Sequence, residues 1–329
     1  MNAIVLAGGF GSRLKPLTDE CPKPMLPLAN RPMLDYVIAQ LYAHGITDIT
    51  FTLGYKADMV KDFCLGYDEI SAHFSTEDIP LGTAGGVKNA SRFLDEVFIV
   101  VSGDALSNVN LTAMVEKHLS SGNDVTMAVT TVENPSLYGV VSVSEKDEVV
   151  TFVEKPATNE FGNLVNTGVY VINKEVLSFV PDGVSFDFAR NLFPALLGGR
   201  KVGAYLHDGY WCDIGDKKSY FNANFYMRKG GFYPVLKNAS VFPSREYVGS
   251  LLGHGATTLG KTENCIIGKN AHVASCAHLK NCIVLDGATV TESCENAVVG
   301  AGFVEKVDFS EKIPHATTKF YENLTGNRA

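Results

Sequence analysis

Apolar residues are arranged along the first third of this chain in two alternating textures. Short runs such as Asn2 to Ala7, Ile46 to Leu53, Ile70 to Ser75 and Val97 to Ser102 have the unbroken or alternating apolar pattern of buried strands. Between them, Met33 to His44, Lys56 to Gly66 and Ala84 to Phe93 carry apolar residues at helical spacing, and the first of these stops at Gly45. Strand and helix in repeated alternation predict an α/β fold: a Rossmann-like, mainly parallel sheet with helices on both faces. Ligands of such a sheet sit beyond the carboxyl ends of its strands.

The texture changes at Asp124. VTMAV, GVVSV, VVTFVEK and GVYVI are strands joined by short turns, which extend the sheet. Helical spacing returns at Lys174 to Phe179, Phe186 to Leu197 and Lys217 to Lys229, and the glycines at 230 and 231 mark a boundary, giving domains 1–231 and 232–329. Beyond it the period becomes six. From Ile267 the chain reads IGKNAH, VASCAH, LKNCIV, LDGATV, with Ile267, Val273, Leu279 and Leu285 in one phase, the hexapeptide pattern of a short left-handed β-helix. The same count places Cys276, Cys282 and Cys294 in equivalent positions, a packing arrangement of small residues. Regularity fails after Val290, and the stretch from Ser310 is expected to be loosely held.

Composition narrows the function. The 329 residues are 46% hydrophobic, enough for a large core, and contain no apolar run of membrane-spanning length. The chain opens directly on a core strand, which predicts a soluble, cytoplasmic protein. A net charge of −8 argues against a nucleic-acid partner. Seven cysteines, an odd number without a C-x-x-C pair, read as free thiols in a reducing compartment.

The chemistry concentrates in residues 1–28, MNAIVLAGGFGSRLKPLTDECPKPMLPL. A strand ending at Leu6 and Ala7 runs into Gly8, Gly9 and Gly11, then Ser12 and Arg13. Glycines let backbone N–H groups approach anionic oxygens, and Arg13 adds a bidentate phosphate donor. A P-loop needs lysine where Arg13 stands, and a dinucleotide fingerprint needs glycine where Leu14 stands, so neither motif applies. Lys23, bracketed by Pro22 and Pro24, is the more specific feature.

GGFGSRLKPLT followed by CPKPMLPL resembles the signature of the sugar-1-phosphate nucleotidylyltransferases, and the resemblance covers residues 2 to 229 by motif. It implies that the phosphate oxygen of a sugar 1-phosphate attacks the α-phosphorus of a nucleoside triphosphate and releases pyrophosphate. Such a reaction needs no protein nucleophile; cations and a divalent metal align the two polyanions and stabilise the leaving group.

The family resemblance also assigns roles. Arg13 and Lys23 are catalytic, and Leu6, Ala7, Gly8, Gly9, Gly11 and Ser12 bind nucleotide. In LGTAGGVKNA, Gly82 and Thr83 lie against the base. Asp104 in VSGDAL and Asp213 in GYWCDIGDKKSY hold Mg²⁺. Glu154 of FVEKP and Asn166 of NTGVYV meet sugar hydroxyls, Thr167 lies beside Asn166, Lys155 meets the sugar phosphate, and Gly139 admits the sugar to the backbone. Taken singly, each string has a plain structural reading: a helix start, a turn, an ion pair, a strand-edge amide.

TEDIPLGTAGG and SFDFARNLFPALL resemble mannose-1-phosphate guanylyltransferases, which implies GTP and mannose 1-phosphate. Glucose-1-phosphate enzymes using dTTP, UTP or ATP share most of the signature. A regulatory homologue that senses nucleotide sugars is a further alternative, as is acyl transfer by the tail, where His272 and His278 fall in phase. The tail is expected to serve assembly and stability within a homo-oligomer.

Overall fold

A computed structural model describes residues 1–77, 79–158, 161–230 and 244–308. The residue at 231, the terminal stretch from 310 and parts of the predicted second domain lie outside the described residues.

The amino-terminal part builds one nine-stranded sheet. Its elements in chain order are β1 (Ala3–Leu6), α1 (Met33–Ala43), β2 (Asp48–Leu53), α2 (Ala57–Cys64), β3 (Ser71–Thr76), α3 (Gly82–Asn89) and β4 (Val97–Ser102). There follow α4 (Leu111–Ser121), β5 (Val125–Thr131), β6 (Gly139–Val143), β7 (Val149–Glu154), β8 (Leu164–Asn173), β9 (Val202–Leu206) and α5 (Lys217–Arg228). The order across the sheet is β7-β6-β8-β4-β1-β2-β3, with β5 pairing β8 and β9 pairing β5.

β1 to β4 are mutually parallel where they pair, and β9 is parallel to β5. The rest is antiparallel, so the sheet is parallel in its first half and mixed in its second. Side chains alternate between two cores, as a strand's period of two requires. Ala3, Val5, Ile99 and Val101 face α1, α2 and α4 through Leu34, Ile38, Val60 and Met114. Ile4, Phe98 and Val100 face α3 and the segment from Phe188 to Leu196. Helices therefore cover both faces.

Local departures from the sequence reading have local causes. The predicted Phe186 to Leu197 helix is a π turn, Phe188–Leu192, followed by a short α turn, Phe193–Leu196. Pro194 has no N–H to donate, so a regular helix cannot run through. Lys174–Phe179 is 3-10 rather than α. Helix α4 and strand β9 are absent from the sequence reading, although α4 has ordinary signals: Asn110 caps Ala113 N–H at 3.1 Å, and Gly122 closes the helix at φ 60°.

Carboxyl-terminal strands between residues 250 and 300 stack in parallel as a β-helix, with an antiparallel strand at each end. Thr257 pairs with His272 and His272 with Thr289, and an asparagine ladder from Asn264 to Asn281 to Asn296 climbs by steps of 17 and 15 residues. The step of 18 that three strict hexads require is not kept, which corrects the cysteine phasing. Cys276 is exposed, whereas Cys282 Sγ lies 3.5 Å from Cys294 Sγ and Cys265 stacks on the coil before. All seven cysteines are free. His272 and His278 sit on strands of different sheets, His272 hydrogen-bonded to Thr257 and His278 beside Glu263.

The two parts share a core. Ile266, Ile283, Val298 and Val307 of the β-helix pack with Leu14, Leu17, Leu26, Tyr220 and Phe221 of the signature segment and α5. Arg228 at the end of α5 caps the ladder by donating to Asn264, and donates to Gly249 O at 2.6 Å. Among the described residues no helix is long and apolar enough to cross a membrane.

Candidate active site

β1, β2 and β4 end side by side, and the chain leaves each through close backbone contacts. Gly103 N–H donates to Leu6 O at 2.9 Å, and a Cβ at position 103 would lie 2.8 Å from that oxygen. Gly11 takes φ 62°, a conformation that favours glycine, and its carbonyl accepts the Thr18 hydroxyl at 3.0 Å. Glycines here let three strand ends converge.

They enclose a cleft of three lobes that meet at Asp104. The loop lobe, of about 210 Å³, is lined by Ala7, Gly9, Gly11, Ser12, Arg13 and Lys23. An aromatic lobe, of about 520 Å³, is lined by Gly8, Phe10, Tyr55, Glu77, Gly82 and Thr83. The wide polar lobe, of about 450 Å³, holds Gly139, Glu154, Lys155, Asn166, Thr167 and Asp213. Leu6 borders all three. Every residue proposed from the sequence thus lines one continuous cleft.

At its centre, Lys23 Nζ lies 2.6 Å from Asp104 Oδ2 and 3.5 Å from Asp213 Oδ1. Asp213 is brought there by a two-stranded ribbon, Trp211–Asp213 on Ala105–Ser107, which registers Asp213 against Ala105. Ser102 Oγ donates to Asp104 Oδ1 at 2.5 Å. Gly215 makes room, since a Cβ there would sit 3.1 Å from both Arg13 Nη2 and Asp213 Oδ2.

The charges are tightly interdependent. Burial by itself would lower the Lys23 pKa, but the two carboxylates outweigh it and raise it. Burial opposes ionisation of Asp104 as well; the Lys23 ammonium and the Ser102 hydroxyl reverse that and hold its pKa below the ordinary value. Asp213 is pushed up by burial and by Asp104, with Lys23 and Arg13 only partly compensating. Two carboxylates cupping one cation form a hard, oxygen-donor site suited to Mg²⁺, which uses one or two carboxylates with substrate phosphates and water. Among the described residues no group of three or more metal-ligating side chains exists.

Several assigned residues are already engaged. Asn166 Nδ2 donates to Tyr170 Oη at 2.7 Å and Asn166 Oδ1 accepts Gly168 N–H at 3.0 Å, which fixes the amide's orientation while leaving one N–H uncommitted. Trp211 Nε1 donates to Thr167 O at 2.9 Å, tying the ribbon that carries Asp213 to this strand. Lys155 is exposed, 3.7 Å from Glu154. At Gly139 a Cβ would strike the Phe152 ring and approach Glu154 Oε2 to 3.0 Å, so that glycine accommodates its own neighbours.

Three contributors escaped the sequence reading. Asp187 Oδ1 accepts both the N–H and the hydroxyl of Thr83, each at 3.2 Å, and Phe188 N–H donates to Thr83 Oγ1 at 3.0 Å. Its signal was the SFDFAR string, read for family likeness and not for contact. Tyr138 packs edge-on against Trp211, 5.1 Å between ring centroids. Glu77, at the end of β3, lines the aromatic lobe.

A family model described as nucleotidyl transferase matches residues 2–230. The chain is 31% identical over 305 residues to a mannose-1-phosphate guanylyltransferase of Mycobacterium tuberculosis, covering 89% of this chain and 82% of that protein. To a mannose-1-phosphate guanyltransferase of Hypocrea jecorina it is 32% identical over 322 residues, 91% of this chain and 86% of the other. Among solved structures, HddC from Yersinia pseudotuberculosis complexed with GMP-PN superposes with a TM-score of 0.60 at 28% identity, over 69% of this chain and 99% of that one. A putative glucose-1-phosphate thymidylyltransferase from Bacillus anthracis gives 0.64 at 24% identity, covering 69% of this chain and 95% of that one, a likeness of fold.

Proposed function

The chain belongs to the nucleotidyl transferase family and is a sugar-1-phosphate nucleotidylyltransferase; on that premise we propose that it joins GTP to mannose 1-phosphate, giving GDP-mannose and pyrophosphate. The observation that carries the reading is the meeting of three lobes at the Lys23, Asp104 and Asp213 cluster, in a chain whose relatives over most of its length are named for this substrate pair. The guanine nucleotide analogue in the Yersinia structure supports the choice of nucleotide.

In this reading a phosphate oxygen of mannose 1-phosphate forms a bond to the α-phosphorus of GTP as the bond from that phosphorus to the β-bridging oxygen breaks. Arg13 and Lys23 flank the loop lobe, where they bind the triphosphate and spread the charge that gathers on the departing pyrophosphate. Backbone N–H groups of the loop from Gly8 to Ser12 cradle the same oxygens. Glu154 and Asn166 orient the sugar, and exposed Lys155 meets its phosphate. Asp104 and Asp213 would hold Mg²⁺, which when bound supplies Lewis-acid charge to the reacting phosphates. Because nucleophile and leaving group both come from substrate, alignment is the protein's main contribution.

The test is a matrix of common sugar 1-phosphates against the five nucleoside triphosphates, read as pyrophosphate release. GTP with mannose 1-phosphate should show the highest kcat/KM. A higher value for glucose 1-phosphate with dTTP, UTP or ATP would replace this substrate pair, and absence of turnover with every pair would favour a sensing role.

A further inference from the structure

The glycine-rich loop beside the loop lobe is held through its carbonyls. Gly11 O accepts the Thr18 hydroxyl at 3.0 Å and Leu14 N–H at 2.9 Å, and Tyr55 N–H approaches Gly8 O at 3.5 Å. Among the described residues the backbone N–H groups of Gly9, Phe10 and Gly11 donate to no protein group. A trans peptide sets its N–H opposite its C=O, so the hold on Gly11 O turns Ser12 N–H away from buried Thr18.

Tyr55 braces that hold from the other side. It follows β2 and Gly54, where a Cβ would lie 2.6 Å from Gly8 O, so the strand end meets the loop only because glycine stands there. Its hydroxyl proton is shared between Asp19 O at 3.0 Å and Thr18 O at 3.3 Å, carbonyls of the short helical turn Leu17–Glu20. Lys56, in the left-handed region at φ 50°, adds its ammonium to Asp19 O at 2.7 Å. A non-glycine residue keeps that conformation only where its surroundings hold it. The Tyr55 ring meanwhile lines the aromatic lobe and packs against Phe10, which stands between Gly9 and Gly11, with centroids 5.5 Å apart. One side chain thus touches the aromatic lobe, the tip of the loop and the turn that holds the loop.

We propose that Tyr55 is a positioning residue that couples occupancy of the aromatic lobe to the shape of the glycine-rich loop, acting through Thr18. The inference rests on the reading that seats the nucleoside in the aromatic lobe and the triphosphate in the loop lobe. Three glycines leave the free loop many conformations, and closing it around phosphate oxygens costs that freedom. Phe10 is 61% exposed, with Tyr55 as its ring contact. A nucleoside in the lobe holds both rings, and with them the Tyr55 hydroxyl on the Thr18 and Asp19 carbonyls and the Thr18 hydroxyl on Gly11 O. A loop ordered by the first ligand costs the second less; that is positive linkage, and linkage is reciprocal.

The experiment measures that linkage by calorimetric titration of the full-length protein, with guanosine as the probe of the aromatic lobe and inorganic tripolyphosphate as the probe of the loop lobe. In the wild type, saturating guanosine should tighten tripolyphosphate binding by about fivefold or more, and tripolyphosphate should tighten guanosine binding by the same factor. Tyr55→Phe keeps the ring and loses only the hydroxyl, so it should bind guanosine alone as the wild type does while the coupling factor falls to near one. Thr18→Val, which removes the hydroxyl at nearly constant shape, should lose the coupling as well, and Thr18→Ser should retain it. A coupling factor near one in the wild type would overturn the inference alone. So would a full factor retained in Tyr55→Phe, and if the melting temperature fell at the same time the hydroxyl would be merely structural. Mutually exclusive binding of the two probes, or no binding of either, would overturn the inference together with the reading it rests on.

Discussion

Lys23 Nζ donates to Asp104 Oδ2 at 2.6 Å across 81 residues of chain. The lysine is 7% exposed, aimed by its flanking prolines, and stands between the two carboxylates assigned to the metal. Cation and carboxylates are therefore one electrostatic unit.

This unit predicts non-additive mutational effects. Asn is nearly isosteric with Asp but uncharged, so Asp104→Asn and Asp213→Asn should each preserve folding and cut turnover by roughly a hundredfold or more. On the proposal that they hold one Mg²⁺ ion, they should combine to little more than the poorer single variant. Lys23→Ala should weaken the handling of the triphosphate by about 1.5–3 kcal/mol, read as a raised nucleotide KM. Steady-state kinetics at varied Mg²⁺ check all of these; strictly additive losses would separate the two aspartates.

The shared core changes what the tail is expected to do. Ile283 is buried where the β-helix meets the signature segment, so Ile283→Ala should cost about 2–5 kcal/mol of stability. Both parts should melt in a single calorimetric transition, in the variant as in the wild type. Two transitions, with only the later-sequence part shifted, would show that the parts are energetically independent. Deleting the tail would uncover Tyr220 and Phe221, so loss of activity on truncation would not mark the tail as catalytic.

A buried histidine predicts the acid limit of stability. His118 Nδ1 is 2.9 Å from Thr126 Oγ1, which also accepts Asn123 Nδ2, and His118 Nε2 is 3.0 Å from Asn173 Oδ1. Asn173 Oδ1 can only accept and Thr126 has its hydroxyl proton to give, so the neutral ring is fully hydrogen-bonded without a second proton. Burial lowers its folded pKa below 6.5, and His44 and His207 shift the same way for the same reason. The unfolded chain then takes up protons first. Stability should be level well above pH 6.5 and fall as pH drops through that value, by up to about 1.4 kcal/mol per unit for each such group. Thermal melts from pH 8 to 5 should show this slope, and it should be shallower in His118→Gln; equal slopes would remove His118 as a contributor.

What the sequence determined by itself is the local physics and the inventory. Apolar period and glycine breaks gave β1, α1, β2 and β4 nearly to the residue, and the signature from Gly8 to Lys23 located the cations. Helix α4 was legible through its Asn110 and Gly122 caps, whereas the short β9 carries no comparable local mark, and Pro194 turned a predicted helix into a π turn because its missing N–H matters more than its neighbours' propensities. Only the tertiary structure could decide which distant groups meet. Nothing in the 109-residue interval from Asp104 to Asp213 encodes their joint hold on Lys23; that follows from strand register, which pairs Asp213 with Ala105. The hexapeptide count likewise foresaw coils but not their pitch, since stacking is set by backbone pairing between turns, and a coil that skips residues at its corners keeps inward aliphatics while shifting every phase that follows.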